Sequence, residues 1–344
     1  MSLKNLNVKN KIPNKYKLKL RSPKVIKIYR KFENSFKIDK NFIVAVSGGA
    51  DSLALAFLTS LFSLKNNLKP KYFIVDHRLR RESTHEAFKV KQVLKLLNIK
   101  SQILTVKGKK PQNNLQSFAR KKRYALLFSQ CKKLKIDNLV LGHHIDDLFE
   151  NFFLRMVRGS GLKGLVSLGE VTKIHDINLF RPLIKFDKKD LLFISKFIFN
   201  FYVNDPSNYD MKFKRIKIRD FIDQLKSFGF DTKKLQLTIE NLKSSDQTIR
   251  FYVQKNKNIN SIFNEKKKEL ILKKEFFDNS YEVVFRSFSD LIHFVGKKQN
   301  SVRGKKIDNI LNKIKNRRLF KETLGGCVIK MVNHTVILSK EPQK

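Results

Sequence analysis

Short apolar segments alternate with helical segments between Asn41 and about residue 150, and this alternation limits the possible folds more than any other feature. The apolar segments are brief and rich in β-branched residues, which is typical of buried parallel strands. The pattern therefore predicts right-handed βαβ units in an α/β fold, a doubly wound parallel sheet. The predicted strands are 42–46, 71–75, 101–106 and 138–141, and the predicted helices are 52–64, 86–97 and 115–134.

Polar segments directly follow three of these predicted strands. Ser47-Gly48-Gly49 follows the first strand, Asp76-His77 follows the second, and Gly142-His143-His144 follows the fourth. In a doubly wound sheet, ligands bind beyond the carboxyl ends of the strands. The polar and titratable residues of these three segments are therefore predicted to lie at the edge of the sheet where a ligand is expected.

The segment from Ser47 to Ser52, Ser-Gly-Gly-Ala-Asp-Ser, joins a predicted strand to a predicted helix. Glycines allow backbone N–H groups to approach an anion, and a helix N-terminus favours negative charge. The segment is not a Walker A loop because no Gly-Lys-Ser/Thr follows, and it is not Gly-x-Gly-x-x-Gly. An ordinary strand–turn–helix corner with an N-capping Ser or Asp is the alternative interpretation. We predict a phosphate-binding loop.

A second polar cluster follows the fourth predicted strand and continues into the helix after it. His144, Asp147 and Asn151 have i, i+3 and i+7 spacing, which would place them on one helical face, and Glu150 neighbours Asp147. Carboxylates beside a histidine can hold Mg²⁺ or a substrate ammonium. A solvated charged face and a zinc site are the alternatives, although a zinc site has no cysteine support here.

The charge of the chain points to a polyanionic partner. Lys and Arg total 73 against 30 Asp and Glu, which gives a formal net charge of +43. Such a field attracts nucleic acids. A genome biased towards lysine codons is the competing explanation, but it explains the scarcity of acidic residues less well. We expect a nucleic acid as a partner.

Cysteine content and hydropathy indicate the compartment. Cys131 and Cys327 are the two cysteines, and they form no Cys-x-x-Cys pair. This usage excludes a disulfide framework and fits a reducing compartment. The sequence contains no signal-peptide pattern, and its most apolar stretch, 53–64, is too short to span a bilayer. We therefore expect a cytoplasmic protein with no membrane partner.

Changes in composition divide the chain into three predicted parts. Residues 1–23 contain no acidic residue and many lysines, which predicts a flexible basic arm. Residues 24–222 form the predicted α/β domain, and residues 223–344 form a smaller C-terminal α+β domain. Within the latter, 231–275 has a mostly helical pattern. Residues 280–340 have shorter β-like stretches, including a hairpin that turns at Asn333-His334.

The loop at 47–52 resembles the pyrophosphate loop (PP-loop) of the N-type ATP pyrophosphatases, which split ATP between the α and β phosphates and adenylate an oxygen. The segments around residues 142–150 and 158–165 resemble the signature of tRNA(Ile)-lysidine synthases. Further matches follow in family order as far as Arg219, and they include Asn114-Leu115, Arg181-Pro182-Leu183 and Asp205-Pro206-Ser207-Asn208. The segment 325–327 resembles the carboxyl-terminal domain of some members.

This resemblance implies a ligase that uses ATP and Mg²⁺ to attach free L-lysine to an anticodon cytidine of tRNA(Ile) with a CAU anticodon. It implies that the C-terminal domain binds tRNA, and a homodimer is a possible assembly. The implied ATP-binding residues are Ser47, Gly48, Gly49, Ala50, Asp51, Ser52, Asp76 and His77. The implied catalytic residues are Asp51, Arg120, Arg123, His144, Asp147 and Glu150. Among the implied lysine-binding residues, Asp147 and Glu150 would bind the amine, and Arg215 or Arg219 would bind the carboxylate. The implied metal ligands are Asp51 and Asp147.

Three other functions are alternatives to this one. A tRNA thiolating enzyme has the same loop but needs catalytic cysteines or an iron–sulfur cluster, and a glutamine-dependent amidotransferase needs a glutaminase nucleophile. A non-catalytic RNA-binding protein would not need intact acidic residues at the site. The chain also departs from the family at Arg78, where glycine is usual.

Overall fold

The computed structural model describes residues 13–108, 111, 114–205, 212, 214–298, 302–333 and 335–342. The chain divides into two compact units, of which the first ends at Leu235 and the second begins at Gln236. This division lies within a helix that spans Thr232–Asn260. The boundary predicted at 222/223 instead falls inside the preceding helix, Lys214–Ser227. The basic, polar composition of both helices gave no sign of where one compact unit ends.

The first unit is built on a six-stranded, mostly parallel sheet. Its strands are β1 (Ile43–Val46), β2 (Lys71–Asp76), β3 (Ser101–Thr105), β4 (Asn138–Val140), β5 (Val171–Ile174) and β6 (Ile177–Phe180). Its helices are α1 (Asn14–Lys17), α2 (Pro23–Ser35), α3 (Ala50–Lys65), α4 (Ser83–Lys95), α5 (Leu115–Leu134), α6 (Ile145–Met156), α7 (Leu162–Leu165), α8 (Lys188–Ile194) and α9 (Lys214–Ser227). The strand and helix predictions for residues 42–141 are confirmed, with bounds that shift by a few residues.

The strands alternate their side chains between two hydrophobic cores, one on each face of the sheet. Val44 and Ile74 point into a core formed with α2, α3, α4 and α8. Ile43 and Phe73, one position away, point into the opposite core, which is formed with α5. Successive strand residues face opposite sides, so strands buried on both faces contain nearly continuous apolar runs. This arrangement confirms the doubly wound fold class.

The strand order β3-β2-β1-β4-β6-β5 places a topological switch point between β1 and β4. The chain moves outward from β1 through β2 and β3, and then returns to the other side of β1, where β4 pairs in parallel with it. The loops after β1 and β4 therefore lie side by side, and an ideal Cβ on Gly142 would be only 3.3 Å from the Cα of Ser52. A crevice at such a point is where doubly wound sheets bind ligands.

Part of the predicted basic arm is packed against the first unit. Tyr16 is buried in the core, and Lys19 donates through Nζ to the carbonyl oxygen of Phe197 at 2.6 Å. A short 3₁₀ helix at Lys19–Arg21 leads into α2 at Pro23. The expectation of a flexible arm is therefore wrong for residues 13–23, because an aromatic ring and a lysine anchor them. Residues 1–12 lie outside the described residues.

The second unit contains a five-stranded antiparallel sheet and helices, which confirms an additional α+β region. The strand order is β7-β8-β11-β10-β9. The bounds are β7 (Ser261–Asn264), β8 (Glu269–Leu272), β9 (Lys321–Leu324), β10 (Cys327–Val332), β11 (Thr335–Lys340), α10 (Thr232–Asn260), α11 (Tyr281–Gly296) and α12 (Gly304–Lys315). The predicted hairpin is confirmed, since β10 pairs with β11 in antiparallel register from Cys327 to Val332. His334 in its turn lies outside the described residues.

One prediction for the second unit was wrong, since 281–296 and 304–315 are helices rather than β-like stretches. The mostly helical pattern predicted for 231–275 is confirmed by the helix Thr232–Asn260, which is followed by two short strands at Ser261–Asn264 and Glu269–Leu272. Helix α12 buries Ile307, Ile310, Leu311 and Ile314 along one stripe. Burial of a face with helical spacing outweighs the strand preference of valine, isoleucine and phenylalanine. Across the described ranges, no helix is long and apolar enough to cross a membrane.

Candidate active site

The loop between β1 and α3 is shaped by the hydroxyl of Ser52. Its Oγ accepts hydrogen bonds from the N–H groups of Ser47 at 3.1 Å and Gly48 at 3.0 Å, and it donates to the Gly49 carbonyl at 2.9 Å. Ser52 thus holds the loop instead of offering its proton to a ligand. The Ser47 side chain remains exposed, and the loop leads into the N-terminus of α3 at Ala50, which favours an anion.

An imidazole lies between two carboxylates at the switch point. Nε2 of His144 is 3.6 Å from Oδ2 of Asp51 and 3.6 Å from Oδ2 of Asp147. Nδ1 of His144 accepts the N–H of Asp146 at 3.3 Å, so the ring proton belongs on Nε2, between the carboxylates. The loop after β1 and the helix after β4 therefore contribute to one cluster.

His144 reaches this position as the N-cap of α6, and not as a residue on the helical face that the spacing predicted. The helix begins at Ile145, and Asp147 Oδ2 accepts the backbone N–H of His144 at 2.9 Å to complete a capping box. Asn151, the third residue of the predicted face, donates to Ser167 Oγ at 3.3 Å. The cap fixes Asp147 and His144 relative to each other.

The two carboxylates of the cluster have opposite pKa shifts. Burial raises the pKa of Asp51, and the neighbouring Asp147 raises it further against the opposing effect of His144. Burial also acts to raise the pKa of Asp147, but His144, His143 and the capping N–H together hold that pKa below its usual value. Asp147 is thus a stable anion, whereas Asp51 is a buried carboxylate that would be stabilised by a cation.

Glu150 lies one helical turn beyond Asp147 and is only 2% exposed. Its Oε1 accepts a short charged hydrogen bond from Nε of Arg219, which lies on α9. Burial raises the pKa of Glu150, while Arg219 opposes that rise. Two residues that the sequence assigned to opposite ends of one lysine molecule are therefore paired with each other.

Several positive side chains surround the acidic cluster. Burial lowers the pKa of Arg123 on α5, and the nearby charges of Arg120 and Arg215 lower it further. Loss of solvation lowers the pKa of His143 to about 4. The charges of Arg120 and Arg123 lower this pKa as well, and the charge of Asp147 opposes them. Like charges crowded in this way are stabilised when a polyanion such as a triphosphate binds. Arg120, Arg123 and Arg215 thus lie in the electrostatic neighbourhood of the acidic cluster, and the roles implied for them stay predictions.

The segment after β2 is held by Asp76. Its buried carboxylate accepts the N–H of Arg78 at 2.9 Å and the hydroxyl of Thr84 at 2.8 Å. Arg78, where the family usually has glycine, adopts a left-handed backbone with φ of 52°, which is a conformation that favours glycine. Burial lowers the pKa of His77, as does the nearby Arg123, so His77 belongs to the same electrostatic neighbourhood.

Asp51 and Asp147 are the candidate ligands of a metal ion. No group of three or more His, Cys, Asp or Glu residues within the described ranges could hold a metal ion by itself. This finding gives the zinc alternative no support, whereas Mg²⁺ is usually held by one or two carboxylates with phosphates and waters. Oδ1 of Asp51 is buried and lacks a hydrogen-bond partner among these residues. An orphaned carboxylate oxygen beside a second carboxylate fits a cation.

Comparisons with known proteins identify the family of the chain. A model of the PP-loop domain matches residues 21–225. The tRNA(Ile)-lysidine synthase of Orientia tsutsugamushi is 31% identical over 322 residues, which cover 89% of this chain and 71% of that protein. The chain belongs to the tRNA(Ile)-lysidine synthase family. The enzyme of the same name from Wolbachia pipientis wMel is 31% identical, with 88% of this chain and 70% of that one covered.

Membership of the tRNA(Ile)-lysidine synthase family makes the protein an enzyme of the ligase class, and its PP-loop domain implies the use of ATP. The fold also resembles a solved structure of the U34-tRNA thiolase NcsA from Methanococcus maripaludis with its 4Fe-4S cluster. The TM-score is 0.56 at 20% identity, and 65% of this chain and 80% of that chain are covered. At this identity the likeness concerns the fold alone.

Three residues at the site were not predicted as functional residues from the sequence. Arg181 is 4% exposed, donates to the Gly169 carbonyl at 3.1 Å, and lies near His143. Ser195 donates to the carbonyl of Ala50 at 2.5 Å and so supports the start of α3. Lys188 on α8 contributes positive charge near Asp51. Only Arg181, in its Arg-Pro-Leu motif, had a signal in the sequence.

Proposed function

We propose that this enzyme ligates free L-lysine to C2 of the wobble cytidine of a tRNA(Ile) with a CAU anticodon. The products would be lysidine, AMP and pyrophosphate, and the modified tRNA would read AUA as isoleucine. The observation that carries the proposal is that Asp51, in the loop Ser47–Ser52, lies beside His144, which also contacts Asp147, at the switch point. The names of the relatives from Orientia and Wolbachia support the substrate assignment.

The loop and its surroundings would bind ATP. Ser47 to Ser52 would receive the pyrophosphate at the N-terminus of α3. Asp76 and His77 follow the neighbouring strand β2, on the side where the adenosine would extend. Both oxygens of Asp76 already accept hydrogen bonds, so Asp76 would act by holding the loop that contacts the nucleotide.

The chemistry proposed for this site has two steps. The O2 oxygen of cytosine attacks the α-phosphorus of ATP, and pyrophosphate leaves as the P–O bond to it breaks. The neutral amine of lysine then attacks C2, and the adenylated oxygen departs as AMP. Arg120 and Arg123 would stabilise the negative charge on the phosphates, and His144 would orient the reacting groups through its Nε2 proton.

Mg²⁺ fits the orphaned oxygen of Asp51 and the neighbouring carboxylate of Asp147. When bound, the ion would neutralise charge on the triphosphate. The protein's own groups set the positions of the two carboxylates, because His144 lies between Asp51 and Asp147 and the capping box fixes Asp147.

The lysine substrate needs an anionic partner for its amine and a cationic partner for its carboxylate. Asp147 and Glu150 would bind the amine, and Arg215, which is exposed on α9, would bind the carboxylate. An amine with a pKa of about 10.4 must lose a proton before it attacks. The raised pKa values of Asp51 and Glu150 make either carboxylate a better base than Asp147, and the choice between them stays open.

The second unit, with the predicted tRNA-binding region 223–344, would bind tRNA through its lysines, and the net charge of +43 supports this role. A cytoplasmic location fits the substrate and the two free, buried cysteines. A homodimer remains a proposal.

The decisive experiment measures the incorporation of labelled lysine into a tRNA(Ile) transcript with a CAU anticodon, with and without ATP. The matched control is the same transcript with the wobble cytidine replaced by uridine. We expect ATP-dependent incorporation that disappears in the control. Pyrophosphate release without lysine incorporation would retain the adenylation step and refute lysine as the nucleophile.

A further inference from the structure

The carboxylate of Glu150 uses one oxygen and leaves the other without a partner. Oε1 accepts from Arg219, whereas Oε2 is buried and has no hydrogen-bond donor within the part of the chain that the structure describes. A buried acceptor without a donor is costly, and proteins rarely keep one without a reason. The free oxygen therefore suggests a donor that arrives with a substrate.

Aromatic packing between α6 and α9 fixes the position of Arg219. Phe153, three residues after Glu150, contacts Phe221, two residues after Arg219, with ring centroids 5.6 Å apart in an edge-on arrangement. The Phe153 and Phe230 rings are 6.4 Å apart, and Ile222 is buried. This packing places α9 beside α6, and the guanidinium of Arg219 is held against Glu150 by its charged hydrogen bond.

The charges around Glu150 also favour a single ammonium. Asp147 on the same helix is negative, while Arg219 and Arg215 on α9 are positive and oppose the rise in the Glu150 pKa caused by burial. Asp147, Glu150 and Arg219 carry one formal negative charge in total, and the exposed Arg215 contributes less because solvent screens its charge. A single ammonium would neutralise this charge, whereas without Arg219 two neighbouring carboxylates would lack their paired cation.

We propose that Arg219 is a positioning residue. By donating a hydrogen bond to Oε1 of Glu150, it fixes the orientation of the carboxylate and leaves Oε2 available for the amine of the substrate. The proposal rests on the lysine-ligating function proposed above. It replaces the expectation that Arg219 itself binds the carboxylate of lysine, since the charge of Arg219 is already paired with Glu150 and the exposed Arg215 is the other candidate for that carboxylate.

The test compares Arg219→Met, Arg219→Lys and the control Lys217→Met, which removes an exposed cation from the same helix. The Michaelis constant for lysine and kcat are measured at saturating ATP and tRNA. Pyrophosphate release without lysine provides a second readout that depends on adenylation alone. We expect Arg219→Met to raise the lysine KM by about tenfold or more. Pyrophosphate release should persist, and Lys217→Met should leave the lysine KM unchanged.

The pH dependence separates positioning from a purely structural role. Without Arg219, only the exposed Arg215 opposes the rise that burial causes in the pKa of Glu150. The ratio of the Arg219→Met lysine KM to the wild-type value should therefore fall as the pH rises from about 6 to about 8. Arg219→Lys should recover most of the affinity for lysine because it restores the charge.

An unchanged or lower lysine KM in Arg219→Met would overturn the proposal, because it would mean that Arg219 is irrelevant or competes with the substrate amine. Equal loss of pyrophosphate release would also overturn it, since the effect would then be structural. If the wild-type enzyme incorporates no lysine, the proposed function fails instead, and the two failures are distinguished by that measurement.

Discussion

Gly48 offers a test of how tightly the loop between β1 and α3 is constrained. Its backbone has φ of +90°, and an ideal Cβ would lie 2.6 Å from Cγ2 of Val90 and 3.0 Å from Cγ2 of Val203. Neither neighbour can retreat easily, because Val90 is 1% exposed in the core and the N–H of Val203 donates to the Gly48 carbonyl at 2.9 Å. Gly48→Ala should therefore destabilise the first unit.

The magnitude follows from two contributions. The left-handed backbone costs a residue with a Cβ about 1–2 kcal/mol, and overpacking against the core residue Val90 and the partly buried Val203 costs about 1–3 kcal/mol. The expected loss is about 2–5 kcal/mol, which for a unit of this size corresponds to a decrease in Tm of about 5–15 °C.

Gly49→Ala is the matched control. Gly49 has φ of −65°, and the nearest atom to its ideal Cβ is Ser47 Oγ at 3.8 Å. Alanine fits this conformation, so the stability should change by no more than about 1 kcal/mol. Thermal unfolding followed by circular dichroism measures both variants. A loss for Gly49→Ala as large as that for Gly48→Ala, or no loss for either, would refute the reasoning.

Three further predictions test the carboxylates. Asp147→Asn keeps the cap acceptor for His144 but removes the fixed anion, so lysine incorporation should fall by about 100-fold or more while tRNA binding persists. Asp146→Asn is its control, and strong turnover in Asp147→Asn would contradict the assignment. Burial raises the pKa of Asp51, so the folded state favours the protonated form, and ionisation costs stability as the pH rises through that pKa. Asp51→Asn should therefore be inactive yet have a higher Tm than the wild type at neutral pH, and the difference should shrink under acidic conditions. A lower Tm at neutral pH would exclude this account. In the second unit, Asp246→Ala removes a 2%-exposed carboxylate and should destabilise that unit by about 2–4 kcal/mol in denaturant unfolding. Glu282→Ala, at an exposed partner of Arg286, should cost less than about 1 kcal/mol, and equal losses would contradict the distinction.

Local sequence was sufficient to predict the strands of the parallel sheet and the helices between them in the first unit. Strands such as β1 and β2 are buried on both faces, so they appear as uninterrupted apolar runs, and the loop after β1 has its own motif. The second unit was less predictable. Helix α11 is rich in valine and phenylalanine, residues that also suit strands, and only its packing against the antiparallel sheet decides its conformation.

For the candidate site, the sequence by itself determined which side chains we propose for the chemistry, because residue type and order are enough to select Ser47–Ser52, His144, Asp147 and Glu150 as candidates. The tertiary structure decided how these side chains are arranged. The pairing of β1 with β4 brings Asp51 to His144, and the packing of α6 on α9 pairs Glu150 with Arg219. Contacts between residues that are 93 and 69 positions apart depend on burial and strand order, which have no local signature in the chain.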